Sequence, residues 1–170
     1  MDNVVNLIIF VEGFDDEIFF KKFFEENVNV IPYRYASQKK ENVKKYLKSL
    51  RSMCNCDYLF FADADGKSIS EKKMEIIEKF DIRDPNKVFI VCYEIESWYL
   101  AGLTNSAKQK LKIKKNFNHT DTLTKEFFIS TMPSQFKSKI DYMIEILKNY
   151  DYDFARDKNK SYSLFKGKVA

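Results

Sequence analysis

The sequence predicts an α/β fold with an open, mainly parallel four-stranded sheet flanked by helices. Short apolar runs alternate along the chain with segments whose apolar residues recur at helical spacing. This strand–helix rhythm is typical of parallel sheets. A hydrophobic fraction of 45%, with 16 Phe and 10 Tyr, is enough for a sizeable core. Only 4 Gly and 3 Pro are present, which argues against a low-complexity chain.

The four predicted strands are short and rich in β-branched or aromatic residues. They cover residues 4–11, 28–35, 58–62 and 88–92. Runs of this length, bounded by polar or turn residues, are typical of buried strands. We therefore expect a sheet in which each strand is followed by a helix.

The predicted helices are recognised by their caps and their apolar faces. Ser37 is expected to cap the helix before the third strand. Ser68 and Glu71 have the spacing of a capping box, which opens the helix after that strand. A short helix after the fourth strand is expected to end at Gly102. The residues predicted to face inward are Met74, Ile77 and Phe80 in the capped helix, Trp98 and Tyr99 in the short one, and Phe136, Ile140, Met143, Ile144 and Leu147 in a helix following Pro133.

We predict two regions that share one domain. Residues 1–103 form the α/β region, and residues 104–170 form a mostly helical, basic extension packed on it. Residues 105–170 hold 14 Lys and Arg against 7 Asp and Glu, whereas residues 1–104 hold 15 against 18. This charge distribution suits a polyanionic partner for the extension. A merely solvated, lysine-rich surface is the alternative interpretation.

Targeting signals are not apparent in the sequence. No apolar run approaches the roughly 20 residues that a membrane-spanning helix requires, so no membrane partner is expected. The N-terminus lacks the basic start and the cleavage site of a signal peptide. Three Cys form no even disulfide framework. We therefore expect a cytoplasmic protein.

Acidic residues follow three of the four predicted strands. Glu12 ends the first, Asp63 and Asp65 follow the third, and Glu94 and Glu96 follow the fourth. Because the carboxyl ends of parallel strands meet at one edge, we expect these carboxylates to lie close together. Clustered carboxylates repel one another unless one is protonated or a cation is bound, and oxygen ligands favour Mg²⁺ or Mn²⁺. The alternative is that these acids are solvated loop residues and helix caps.

Two motifs carry a family resemblance. The segment Val11-Glu12-Gly13-x-x-Asp16, followed by an apolar helix, and the later Asp63-x-Asp65-Gly66 resemble the Toprim superfamily over residues 4–102. The chain is most similar to a small, stand-alone version of the Toprim domain of OLD-family nucleases. The resemblance implies a Mg²⁺-dependent nuclease that acts on phosphodiester bonds in phage defence or nucleic-acid processing.

The resemblance also implies roles for individual residues. Glu12 would be a metal ligand or the general acid/base, and Asp63 and Asp65 would hold the metal. Asp16 and Glu96 would hold a second ion. Where many Toprim domains carry a further acid, this chain has Gly66-Lys67-Ser68, and Lys67 is expected to assist catalysis by contacting a phosphate.

Contacts to DNA or RNA are expected from the basic extension. The predicted nucleic-acid-binding residues are Lys110, Lys112, Lys114, Lys115, Arg156 and Lys160. The lysines recur with a period close to two, which is compatible either with an edge that follows a phosphate backbone or with a solvated face. A protein partner or a homodimer also remains open.

Three functions are compatible with these features. The first is a nuclease, and the second is a non-catalytic nucleic-acid-binding Toprim module that needs a partner. The third is a metal-dependent phosphoryl or nucleotidyl transferase acting on a small molecule. The basic extension favours a polymeric substrate over the third. The sequence does not separate the first two, because both retain the acidic residues.

Overall fold

The computed structural model describes residues 6–24 and 28–169 of the chain. They contain a four-stranded, all-parallel sheet flanked by helices, so the predicted fold class is confirmed. The strands are β1 (Asn6–Val11), β2 (Asn29–Arg34), β3 (Cys56–Asp63) and β4 (Val88–Val91), in the order β2-β1-β3-β4. Residues 4 and 5 of the first predicted strand lie outside the described ranges.

The burial of each strand follows from its place in the sheet. In the interior strand β1, Asn6 is paired with Asn29 of β2 and with Cys56 of β3, and every residue from Leu7 to Val11 is buried. A strand covered on both faces has a continuous apolar sequence, as β1 does. The edge strand β2 carries Pro32 and alternates between half-buried and exposed residues. An edge tolerates a proline because one side of the strand needs no hydrogen-bond donor.

Three helices follow the first three strands. They are α1 (Phe14–Phe23), α2 (Lys40–Leu50) and α3 (Ile69–Phe80). The capping box of α3 is confirmed, because Glu71 N donates to Ser68 Oγ at 3.2 Å and Ser68 N donates to Glu71 Oε2 at 3.3 Å. The predicted cap of α2 is wrong. Lys39 is the N-cap of that helix, while the Ser37 hydroxyl donates to the Arg34 carbonyl.

The remaining helices lie after β4. They are α4 (Glu96–Ala101), α5 (Asn105–Lys110), α6 (Lys125–Thr131), α7 (Lys139–Lys148), α8 (Tyr152–Lys158) and α9 (Lys160–Val169). Gly102 ends α4 as predicted, and both Trp98 and Tyr99 are fully buried. None of the helices within the described ranges combines the length and the apolar character needed to cross a membrane.

Two predicted apolar faces differ from the observed ones. In α3, Ile76 and Phe80 are buried, but Met74 is 56% exposed. Helix α7 begins at Lys139, after its N-cap Ser138, rather than directly after Pro133. Its buried residues are Tyr142, Met143, Ile146 and Leu147, whereas Ile140 and Ile144 are exposed. On this buried face, the Tyr142 hydroxyl is 2.9 Å from Thr131 Oγ1.

The chain divides into two compact units. The first contains the described residues up to 62 together with residues 68–90, and the second contains residues 63–67 with residues 91–169. Residues 91–103, which the sequence groups with the sheet, therefore belong with the C-terminal helices. The largest buried side chains of the first unit are Phe10, Phe19, Phe20, Phe60 and Phe61, and those of the second are Trp98, Tyr99, Phe128, Tyr142, Tyr162 and Phe165.

Gly102 is required by the close approach of Tyr150. A Cβ at position 102 would lie 2.4 Å from the Tyr150 ring, so we predict that Gly102→Ala destabilises the protein by about 1–3 kcal/mol. Gly167→Ala in α9 is the matched control, because a Cβ there meets nothing within 4 Å. It should be neutral or stabilise by up to about 1 kcal/mol. Urea denaturation measures both, and equal effects would contradict the role assigned to Tyr150.

Candidate metal and nucleic-acid site

The loop that follows β3 carries two of the predicted metal ligands. Asp63 is the last residue of β3 and is half-buried, whereas Asp65 is exposed. Ala64 N donates to Val91 O at 2.8 Å, and Asp65 N donates to Tyr93 O at 3.3 Å. These bonds fix the loop against the segment that leaves β4.

Left-handed backbone conformations occur in both of these paired segments. Asp65 and Tyr93 both have left-handed backbone conformations, with φ values of 51° and 55°, and Gly66 has a φ of 80°. A non-glycine residue costs of order 1–3 kcal/mol in a sparsely populated region, and such residues cluster at functional sites. The strain is largest for Tyr93, because aspartate tolerates this conformation better than aromatic residues.

The two glutamates after β4 have partners within the second unit. Glu94 Oε2 accepts a hydrogen bond from Lys125 N at 2.8 Å, at the start of α6. Glu96 is only 3% exposed, and its Oε1 lies 2.5 Å from Lys139 Nζ. A buried carboxylate requires a counter-charge, and Lys139 supplies it. Sequence analysis missed Lys139, because it lies 43 positions from Glu96 and on a different helix.

A buried polar network joins this segment to the start of α9. Asn159 Oδ1 accepts hydrogen bonds from Ser161 Oγ at 2.8 Å and from Tyr162 N at 3.0 Å. Asn159 Nδ2 donates to Ser97 Oγ at 3.3 Å and to Thr120 Oγ1 at 3.0 Å. Asn159 is therefore satisfied on both ends of its amide although it is 1% exposed.

Ser161 extends the network to the end of β4. Its hydroxyl oxygen accepts hydrogen bonds from Trp98 Nε1 at 2.8 Å and from Cys92 N at 3.0 Å. The segment 156–161 thus has buried residues, Asn159 and Ser161, that support structure. Arg156, Asp157 and Lys160 are exposed.

Glu12 and Asp16 belong to the first unit. Glu12 directly follows β1, and the Tyr35 hydroxyl lies 3.2 Å from Glu12 Oε1 and 3.0 Å from Phe61 O. Asp16 is 5% exposed, and its Oδ2 accepts a hydrogen bond from Gly13 N at 3.1 Å at the start of α1. Asp16 thereby caps a helix. Sequence analysis missed Tyr35, whose only signal is its position at the end of the second predicted strand.

The carboxylates can be compared with the needs of a metal ion. Among residues 6–24 and 28–169, no three Asp, Glu, Cys or His side chains are grouped closely enough to hold a metal. Mg²⁺, however, is usually held by one or two carboxylates together with water and substrate phosphate, rather than by a complete protein cage. The oxygen donors of Asp63 and Asp65 fit that chemistry.

The predicted basic residues lie in different places, some of them in two surface hollows. Lys112, Lys114 and Lys115 line a hollow of about 550 Å³. Arg156 and Lys160 line a second hollow of about 270 Å³, which also contains Asp121 and Asp157. Lys110 is exposed and lines neither hollow, and Lys67 is exposed on the Asp65 loop.

Lys108 belongs to the same lysine run but has a structural role. Its Nζ donates to the Phe117 carbonyl at 3.0 Å and lies 3.9 Å from the centroid of the Phe117 ring. Partial burial lowers the pKa of Lys108, and the nearby charge of Lys158 lowers it further. Lys108 therefore holds the 111–117 segment rather than presenting its charge to a ligand.

Comparison of the chain with protein-family models, curated proteins and solved structures gave no significant match. The similarity to Toprim domains is thus a resemblance carried by the motif residues.

The Ser161 hydroxyl can be tested by removing it. Ser161→Ala leaves Trp98 Nε1 and Cys92 N without their acceptor, and each unsatisfied buried donor costs about 1–3 kcal/mol. We predict a melting temperature lower by about 2–4 °C for each kcal/mol lost. Trp98 is the single Trp, so its fluorescence reports directly on the network. Ser163→Ala, on the same helix, is the control, and an equal loss in both variants would contradict the role of Ser161.

Proposed function

We propose that the protein is a Mg²⁺- or Mn²⁺-dependent nuclease of the Toprim type that acts on phosphodiester bonds of DNA or RNA. The observation that supports this most strongly is the Asp63–Gly66 loop, which is hydrogen-bonded to residues 91 and 93 and contains the left-handed Asp65. A strained turn that carries two carboxylates and is fixed by backbone bonds is costly to maintain without a functional role.

Asp63 and Asp65 would hold the metal ion in this proposal. When bound, the ion polarises a phosphoryl oxygen and lowers the pKa of a water molecule. Lys67 lies two residues after Asp65 and is exposed, so its ammonium group can bind a phosphate oxygen and offset negative charge on the leaving oxygen. Glu96 contributes less to a second ion than its sequence position indicates, because Lys139 already neutralises it.

The charge of the second unit supports a polymeric substrate. Residues 105–170 hold 14 Lys and Arg against 7 Asp and Glu, and three of these lysines share one hollow. Contacts to successive phosphates release counterions and so provide affinity that a small molecule does not gain. This favours a nucleic-acid strand over a small phosphorylated substrate.

The ion pair of Glu96 with Lys139 favours a second candidate function. A carboxylate that is already neutralised leaves fewer charges to hold metal, and a nucleic-acid-binding module without turnover would tolerate that loss. In such a module, Asp63 and Asp65 would support the fold or bind a cation without cleavage. The nuclease would cleave nucleic acid and the binding module would not, so a cleavage assay distinguishes the two candidates.

The role of Asp65 can be tested with a matched backbone control. Asp65→Asn removes the charge but keeps a residue that tolerates the left-handed conformation. We predict that the cleavage rate falls by more than about 10–100-fold. That range is the usual cost of removing a residue that only supports a metal ligand, and loss of a ligand itself should cost more. Asp81→Asn is the control, since Asp81 has the same conformation with a φ of 55° but lies at the end of α3.

Two further measurements accompany this comparison. Mn²⁺ at one hundred times its dissociation constant should stabilise the wild-type protein by about 2.7 kcal/mol. The Asp65→Asn variant should lose this stabilisation, while Asp81→Asn keeps it. If the wild-type protein cleaves neither DNA nor RNA with any divalent ion, the nuclease proposal fails and the binding module replaces it.

Glu12 is tested separately, because it is expected to be a ligand or the general acid/base. Glu12→Gln keeps the size of the side chain and a carbonyl oxygen within reach of the Tyr35 hydroxyl. We predict that cleavage falls by about 10²–10⁴-fold, the usual contribution of proton transfer, while nucleic-acid binding is retained. Rescue by Mn²⁺ would identify Glu12 as a ligand. Glu78→Gln, exposed on α3, is the control, and similar losses in both variants would refute a specific role for Glu12.

A further inference from the structure

We propose that the 550 Å³ hollow of the second unit, named here the lysine cleft, binds one or two nucleotides of a single-stranded nucleic acid. This rests on the proposed function, because it specifies the class of substrate. Its lining includes Lys112, Lys114, Lys115, Met132, Ser134 and Gln135.

The two walls of the lysine cleft are joined by hydrogen bonds. One wall is the segment after α5, and the other is the segment that ends α6 and leads to residue 135. Lys115 Nζ donates to Ser130 Oγ at 2.7 Å, and Gln135 Nε2 donates to Leu111 O at 3.3 Å. A cleft that is already formed spends less free energy on ordering its walls when a ligand binds.

Core packing directs the lysines outward. Leu111 and Ile113 are 4% and 8% exposed, whereas the alternate residues Lys112 and Lys114 are exposed. Among the described residues that line the cleft, three are lysines and none is acidic. The cleft is therefore an anion-binding surface, and phosphate is the anion that a nucleic acid presents at regular intervals.

The second hollow fits an anion less well. It contains Arg156, Lys158 and Lys160, but Asp121 and Asp157 line it too. Asp121 Oδ1 also accepts a hydrogen bond from the backbone N of Lys160 at 2.7 Å. Its carboxylates would repel a phosphate, so the unbalanced positive charge of the lysine cleft is the stronger indication.

The size and composition of the cleft favour a single strand. Its volume falls within the range of about 300–1,000 Å³ that holds small ligands, and one or two nucleotides fit such a space. Met132 and Pro133 offer apolar surface for a sugar or an unstacked base. Single strands expose their bases for such contacts, whereas a duplex keeps its bases stacked and presents a convex phosphate surface that reaches only the rim.

Equilibrium binding in EDTA tests the inference without cleavage. The probes are a labelled single-stranded oligonucleotide and the duplex of the same sequence, measured by fluorescence anisotropy over a range of salt concentrations. Lys114→Ala should weaken single-strand binding about tenfold, as expected for one charged hydrogen bond. The slope of log affinity against log salt should decrease in magnitude by about 0.7 for each lost phosphate contact.

Two other variants separate the cleft from general surface charge. Lys137→Ala is the matched control, because Lys137 is an exposed lysine of the same unit that does not line the cleft. Ser134→Asp places a negative charge in the opposite wall and should weaken binding more than Lys114→Ala does. Equal losses for Lys114→Ala and Lys137→Ala would overturn the proposal.

The choice of ligand is tested by competition. The wild-type protein should bind the single strand more tightly than the duplex, and a mononucleotide should compete only at far higher concentration. Equal affinity for the duplex, or displacement by a mononucleotide at the concentration of the oligonucleotide, would overturn the proposal. Binding that depends on Lys114, without cleavage in Mg²⁺ or Mn²⁺, would sustain the lysine cleft and refute only the nuclease activity.

Discussion

The buried amide of Asn159 is the constraint on which the organisation of the second unit depends. Its oxygen and nitrogen are both occupied, and Ser161 passes the network on to Trp98 and Cys92. An unsatisfied amide would be expensive in this buried position, so the network admits one arrangement of α9 against the end of β4. The same segment accepts the backbone bonds of the Asp65 loop. The segment that fixes the Asp65 loop is thus held by Ser161, which lies 63 positions from Trp98 and 69 positions from Cys92.

The sheet was predictable because its signals are local. The predicted runs at 28–35, 58–62 and 88–92 match β2, β3 and β4 to within about two residues, and the first run covers all of β1. The interior strand β1 is covered on both faces and needs only a continuous apolar sequence. The capping box at Ser68 and the helix end at Gly102 are equally local. Two kinds of prediction failed. The Ser37 cap was lost to a local contact, the hydrogen bond from its hydroxyl to the Arg34 carbonyl. Ile140 and Ile144 match the helical period, but the buried face of α7 carries Tyr142, which contacts Thr131 of another helix.

The candidate site divides in the same way. The sequence shows that acidic residues follow the strands, because the apolar runs lead into Glu12, Asp63 and Glu94. Their partners are not visible, because the Tyr35 hydroxyl lies 23 positions from Glu12 and Lys139 lies 43 positions from Glu96. Such partners decide whether a carboxylate keeps its charge available for a cation. The chemistry of each acid therefore requires the folded structure, although its position does not.

The lysine run shows how core packing can organise surface charge. A period of two in the sequence has two interpretations, an edge that follows phosphates or a solvated face. The structure explains the period through Leu111 and Ile113, whose burial leaves Lys112 and Lys114 exposed. Burial alone would produce a solvated face, but the second wall, joined through Ser130 and Gln135, turns that face into a cleft. The burial of these two apolar side chains thus determines where the positive charge lies. The same unit also contains the Asp63–Gly66 loop, so a nuclease would carry Asp63, Asp65 and its phosphate-binding lysines on one compact part of the chain, whereas Glu12 belongs to the other unit.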